Sequence, residues 1–95
     1  MKYNSESDKR QIFERITRVA EDMLRLSHGQ GMRKLPEIKL KTNIFNDLGF
    51  DSVEVMDLMG LIEREFGVSI EIDKMATKNT FGEIVGYIDE LLRKA

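Results

Sequence analysis

Cysteine and tryptophan are absent from these 95 residues, and proline and histidine occur once each. Without cysteine there can be no disulfide, no thiolate metal site and no cysteine nucleophile. With His28 as the sole histidine, no His/Cys metal cluster can be assembled, and a Ser-His-Asp triad would rest on that one side chain. Its place at a predicted helix end is explained by a favourable contact with the helix dipole. The first ten residues, MKYNSESDKR, lack the apolar core of a signal peptide, and no apolar run approaches the roughly 20 residues of a membrane span. A soluble, cytoplasmic protein without membrane insertion is the expectation. Seven glycines and a single proline leave little punctuation, which favours long helices over many short strands.

What is present is the composition of an ordinary globule, 41% hydrophobic and 34% charged, in a chain long enough for one modest core. We read residues 1–95 as a single domain with its core within about 7–93. The net charge of −2 conceals an uneven distribution. Residues 28–43 carry Arg33, Lys34, Lys39 and Lys41 against Glu37. Residues 44–73 carry eight acids against Arg64 alone. A field of that sign attracts basic partners and repels nucleic acid and anionic membrane.

Hydrophobic periodicity predicts a helix from about residue 7 to residue 26, with Ile12, Phe13, Ile16, Val19, Ala20, Met23 and Leu24 on one stripe. Ser7 or Asp8 can cap its start and Gly29 its end. A long connection follows, in which Leu35, Ile38 and Leu40 are expected to pin the chain to the core while the basic side chains face water. Ile44, Phe45 and Leu48 suggest a single helical turn ending at Gly49. A second long helix should run from Ser52 to the stop at Gly67, with Val55, Leu58, Met59, Ile62 and Phe66 facing inward. Val53 and Leu61 fall outside that stripe and Met56 lies at its margin, more apolar surface than a core face needs. Val68, Ile70 and Ile72 alternate with polar residues, but a strand would lack a partner, so a loop and a short helix around residues 73–76 are expected. Thr80 and Glu83 have capping-box spacing before a last helix with Ile84, Val85, Ile88, Leu91 and Leu92 inward. The predicted fold is all-α: a small four-helix bundle, three long helices and one short, with a long first loop.

The stretch DLGFDSVE, residues 47–54, places a serine where loop becomes helix. Asp51 with Glu54 has capping-box spacing, and Ser52 could equally serve as the cap. A nucleophilic serine needs a base, and only carboxylates are close, so an autonomous hydrolase does not fit. A phosphate ester placed on Ser52 by another enzyme would suit the site better, because a helix N-terminus favours anions. No Ca²⁺-binding loop of the D-x-[DN]-x-[DN]-G type is present, which sets aside a calcium sensor.

DLGFDSVE followed by VMDLMGLIEREFGVSI resembles the acyl carrier protein family of phosphopantetheine-binding proteins. Asp47, Leu48, Gly49, Asp51, Ser52 and Glu54 fit its pattern, with Val53 as the apolar member after the Asp-Ser pair. Asn43, Phe45, Glu65, Phe66 and Thr80 also match, and the likeness extends over roughly residues 7–93. The resemblance implies that a phosphopantetheinyl transferase joins 4′-phosphopantetheine from coenzyme A to Ser52, and that the arm's thiol then holds an acyl group as a thioester. Asp51, Val53, Glu54, Met56 and Asp57 would dock the transferase and the acyl-loading and acyl-processing enzymes, whose docking surfaces would be basic. Met59, Ile62 and Tyr87 would line a pocket for the acyl chain, although ordinary core packing describes them equally well. Such a carrier catalyses nothing itself, binds no metal and is expected to be monomeric, since transient contacts need only small interfaces. Arg64 stands where fatty-acid carriers of the family usually have an acid, Gly60 where they often have a larger apolar residue, and the Ile-Pro-Asp opening of the short helix is missing. These departures suggest a specialised carrier, for a dedicated lipid, sugar or secondary-metabolite pathway. An aminoacyl or peptidyl carrier, or an unmodified helical interaction module, are the alternatives.

Overall fold

The computed structural model describes residues 5–28 and 35–94. Four helices follow one another: α1 (Ser5–His28), α2 (Ser52–Phe66), α3 (Ile72–Met75) and α4 (Phe81–Lys94). No strand occurs among the described residues. Arg33 and Lys34 of the basic connection, the proposed stop at Gly29 and the side chains of Ser7 and His28 lie outside what is described. With a radius of gyration of 13.1 Å the chain has the dimension expected of about 100 folded residues.

Helix α1 starts two residues before the predicted start at residue 7, because its first turn carries no apolar positions to mark it. Its inward face is the expected one: Ile12, Ile16, Ala20, Met23 and Leu24 are buried, with Phe13 and Val19 packed against them. Against it lies the stripe of α2, with Val55, Leu58, Met59 and Ile62 buried and Phe66 partly so. The two helices run antiparallel. Near the end of α2, the Arg15 guanidinium sits 4.2 Å above the Phe66 ring, donates to Glu65 Oε2 at 2.7 Å and reaches the Glu65 carbonyl at 2.6 Å. At the opposite end, Met23 and Leu26 of α1 share a groove with Met56 of α2.

Helix α4 contributes Phe81, Ile84, Val85, Tyr87 and Ile88 to the same core. The capping box at its start is formed: Thr80 Oγ1 accepts from the Glu83 N–H at 3.2 Å, and Glu83 Oε1 accepts from the N–H groups of Thr80 and Asn79, both at 3.1 Å. These donors hold the Glu83 carboxyl below its ordinary pKa of 4.5. Asp89 is fully buried on α4, beside Arg93 Nε at 3.4 Å, a polar group within a face whose periodicity reads as apolar. Leu91 and Leu92 are half-buried at the end of that face.

The connection into α2 is pinned differently from the expectation in one respect. Ile38 is buried and Leu35 packs on the core, but the Leu40 side chain is 55% exposed. It is the Leu40 carbonyl that anchors the chain, accepting from the Gly82 N–H at 2.7 Å. Beside it, the Ile44 N–H donates to Asn79 and the Phe81 N–H to Thr42, so residues 42–44 zip antiparallel to residues 79–81. The exposed Lys39 and Lys41 face solvent as expected.

Candidate functional site

The segment before α2 is a set of hydrogen bonds with one free hydroxyl at its end. Asn43 Oδ1 accepts from the N–H groups of Phe45 and Asn46 at 2.9 and 2.8 Å, and Asp47 Oδ2 accepts from the Asn43 N–H at 2.8 Å. Backbone bonds from Asp47 to Asn43 and from Gly49 to Phe45 complete the expected helical turn. Leu48 is buried beneath it, and Gly49 leaves it at φ 71°, a conformation that costs glycine nothing and other residues strain. Phe50, buried, is drawn in by its N–H bond to the Ile44 carbonyl.

Asp51, not Ser52, then caps the helix. Its Oδ1 accepts from the Glu54 N–H at 2.8 Å, while Glu54 Oε1 accepts from the Asp51 N–H at 3.1 Å, a reciprocal capping box. Ser52 is thereby the first residue of α2, exposed, and its hydroxyl makes no hydrogen bond among the described residues. The first backbone N–H groups of a helix have no partner within it, so an anion on this hydroxyl would meet donors and the positive end of the dipole. The Ser52 Oγ is therefore exposed at the helix start and without a hydrogen bond among the described residues.

Ser52 also opens onto a cleft of about 250 Å³ lined by Phe45, Val55, Met56, Met59, Ile72, Met75 and Ala76. Of the three residues suggested as acyl-pocket lining, Met59 faces this cleft. Ile62 and Tyr87 are buried elsewhere in the core, and the Tyr87 hydroxyl accepts from the Glu71 N–H at 3.0 Å, tying the stretch before α3 to α4. Phe45 and Ile72, 39% and 60% exposed, were not named as pocket lining from sequence. Their signal was only that of exposed apolar residues, and they meet Ser52 because α3 folds beside the start of α2.

Four of the five suggested docking residues are exposed. Asp51, Val53, Met56 and Asp57 are exposed around Ser52, and Glu54 is half-buried by its capping bond. Val53 at 67% and Met56 at 57% exposure are large apolar side chains left in water among acids. Among the described residues, no three His, Cys, Asp or Glu side chains are grouped to hold a metal, and no helix is long and apolar enough to cross a membrane.

Comparison with known proteins agrees with this arrangement. The family described as "Phosphopantetheine attachment site" matches residues 31–88. An "Acyl carrier protein" from Rickettsia bellii is 30% identical over 80 residues, 83% of this chain and 92% of its own. One from Exiguobacterium sibiricum is 42% identical over 53 residues, 56% of this chain and 67% of its own. Another, from Thermotoga maritima, is 27% identical over 86 residues, 90% of this chain and 98% of its own.

Proposed function

The chain belongs to the acyl carrier protein family, a carrier with a phosphopantetheine cofactor and no catalysis of its own, and we propose that Ser52 is the residue that bears the cofactor. The observation that carries this assignment is the division of labour at the start of α2. Asp51 takes the capping role that a serine there could have filled, and the Ser52 hydroxyl is left exposed and without a hydrogen bond among the described residues. Attachment would form an Oγ–P bond as a P–O bond of the coenzyme A pyrophosphate breaks, adenosine 3′,5′-bisphosphate leaving and the hydroxyl proton passing to the transferase. When bound, the group supplies a flexible arm and a thiol that holds acyl cargo as a thioester, chemistry this cysteine-free chain cannot provide.

The chain's own residues then do three things. The α2 N-terminus stabilises the phosphodiester's charge, by about 0.3–1 kcal/mol at an exposed site. Val53, Met56 and Asp57, with Asp51 and Glu54 behind them, present an acidic rim with apolar centres to basic surfaces on the transferase and on acyl-processing enzymes. The cleft of Phe45, Val55, Met59, Ile72 and Met75 takes the first part of the acyl chain, its apolar walls beginning at Ser52 itself. The carrier docks as a monomer. Arg64, exposed on the same helix, biases the choice of partner away from enzymes that read an uninterrupted acidic face, which supports a dedicated pathway over general fatty-acid synthesis.

The test is intact mass after incubation with coenzyme A, Mg²⁺ and a broad-specificity phosphopantetheinyl transferase. Wild type should gain one phosphopantetheine and Ser52→Ala none, with unchanged helicity because the hydroxyl is not part of the cap. Modification of the Ser52→Ala chain would refute the assignment. No gain by an initially unmodified wild type, with an active transferase, would favour an unmodified interaction module.

A further inference from the structure

Helix α2 carries a second surface, turned from the cleft toward α1, that overlaps the docking face at Met56, Asp57 and Arg64. Met23, Leu26, Met56, Asp57, Gly60, Leu61 and Arg64 line an open groove there of about 480 Å³. Leu26 is 86% exposed, Met56 57% and Leu61 37%, a concentration of apolar surface with nothing on this chain covering it among the described residues. Asp57, Gly60, Leu61 and Arg64 stand at i, i+3, i+4 and i+7, one face of the helix.

That face is complementary to itself. Reversed about its midpoint between Gly60 and Leu61, it sets Asp57 against Arg64 and Gly60 against Leu61. Asp57 and Arg64 make no ion pair among the described residues, and no residue three or four positions from either on α2 bears the opposite charge. Gly60 is a notch in the floor: a Cβ added there would have no side chain or other backbone within 4 Å. Leu61 projects beside it as the matching knob. A small residue opposite a large one allows two helices to approach at the near edge of the usual 8–10 Å interaxial range.

We propose that α2 pairs antiparallel with α2 of a second copy of this chain, related by a two-fold axis between Gly60 and Leu61. Leu61 of each copy seats in the other's Gly60 notch, and Asp57 of each faces Arg64 of the other at both ends, about two helical turns or 10 Å apart. Leu26 and Met56 flank the seam. The groove has seven lining residues, against roughly 20–30 a side in a stable interface, so the dimer is weak and reversible, with Kd on the order of 100 µM. It covers Met56 and Asp57, so a paired chain cannot dock its partner enzymes by that face. Only this consequence rests on the carrier reading.

Sedimentation equilibrium on the full chain tests the pairing without any cofactor. The weight-average mass of wild type should rise from 11.0 kDa toward twice that value with concentration. Asp57→Arg and Arg64→Asp, each placing like charges opposite one another, should weaken association at least tenfold. An equimolar mixture of those two variants should restore it, because in the mixed dimer both ends carry opposite charges. Gly60→Leu should abolish it while circular dichroism shows full helicity. A wild-type chain that stays monomeric near 1 mM overturns the proposal. So does a dimer that both charge variants retain, or that their mixture fails to rebuild, since the contact would then lie on another face or belong to another occupant.

Discussion

Substitution of Asp51 separates the two roles assigned to it. Its carboxylate accepts the Glu54 N–H at 2.8 Å, a bond typical of an N-cap, worth about 0.5–2 kcal/mol on replacement by alanine. Its charge at the positive end of α2 adds about 0.3–1 kcal/mol at an exposed position. Asp51→Ala removes both and should destabilise by about 1–2 kcal/mol, whereas Asp51→Asn keeps an equivalent acceptor and loses only the charge. In a domain of this size each kcal/mol is about 4–8 °C of Tm, so the alanine variant should melt about 5–15 °C below wild type and the asparagine variant about 2–6 °C below.

Thermal unfolding followed at 222 nm gives these shifts, and the rate of phosphopantetheine attachment at low ionic strength gives the other half. If Asp51 also docks the transferase through its charge, both variants should be modified more slowly, and by similar factors once assayed well below their Tm. An asparagine variant that melts with the alanine variant would refute the cap as the source of stability. An asparagine variant modified at the wild-type rate would refute docking by Asp51. Asp57 is the cleaner probe of docking at concentrations too low for pairing, because Glu54, the other acid nearest Ser52, is held by the Asp51 N–H and its reversal would disturb the cap as well.

Gly60→Ala should stabilise the monomer by about 0.8–1 kcal/mol, the helix-interior preference for alanine, since its Cβ meets no obstruction; denaturant titration at low protein concentration reads it. Gly82→Ala should fall short of that gain or destabilise, because its Cβ would lie 3.1 Å from the Leu40 carbonyl that holds the first loop to α4. Arg15→Ala should cost about 1–2 kcal/mol through its stacking on Phe66 and its bonds to Glu65, and Arg15→Lys should not restore it, as an ammonium lacks the planar fork. Glu83, whose pKa is lowered by the Asn79 and Thr80 N–H groups, adds stability above its ordinary value of 4.5 and loses it as pH falls through the depressed folded value; Tm measured from pH 7 downward should fall more steeply for wild type than for Glu83→Gln.

Local physics was legible in the sequence wherever it repeats. The stripes of α1, α2 and α4 and the box of Thr80 and Glu83 were read with ends accurate to two residues, since each follows from spacing along one helix. What escaped depends on contacts between segments. Nothing in IKLKT marks the Leu40 carbonyl as the anchor of α4, and nothing around Asp89 marks it as buried. The cleft beside Ser52 needs Ile72 and Met75 of α3 and Ala76 just after it, twenty or more residues away, so only Met59 among its walls was named as pocket lining. The choice between Asp51 and Ser52 as cap was likewise open, because either oxygen can accept the same N–H and only backbone geometry decides.

That last choice explains why the family pattern reads as it does. Asp47 binds the Asn43 N–H, Leu48 is buried under the turn, Gly49 takes the positive φ that turns the chain, and Asp51 with Glu54 closes the cap. Five of the six pattern residues are thus occupied in building the turn and the helix start, and the sixth, Ser52, opens the helix with its hydroxyl unbonded among the described residues. The motif is a mounting for one unengaged oxygen. It follows that removing the acceptor at Asp47, or adding a side chain at Gly49, should impair attachment through the position of Ser52 without touching the transferase. Asp47→Ala, which breaks the 2.8 Å bond to Asn43, should slow modification at saturating transferase while Asp47→Asn, which keeps an acceptor there, should not. Equal slowing of the two would mean that the charge of the aspartate serves the partner, and wild-type rates for both would mean that the turn holds its shape without that bond.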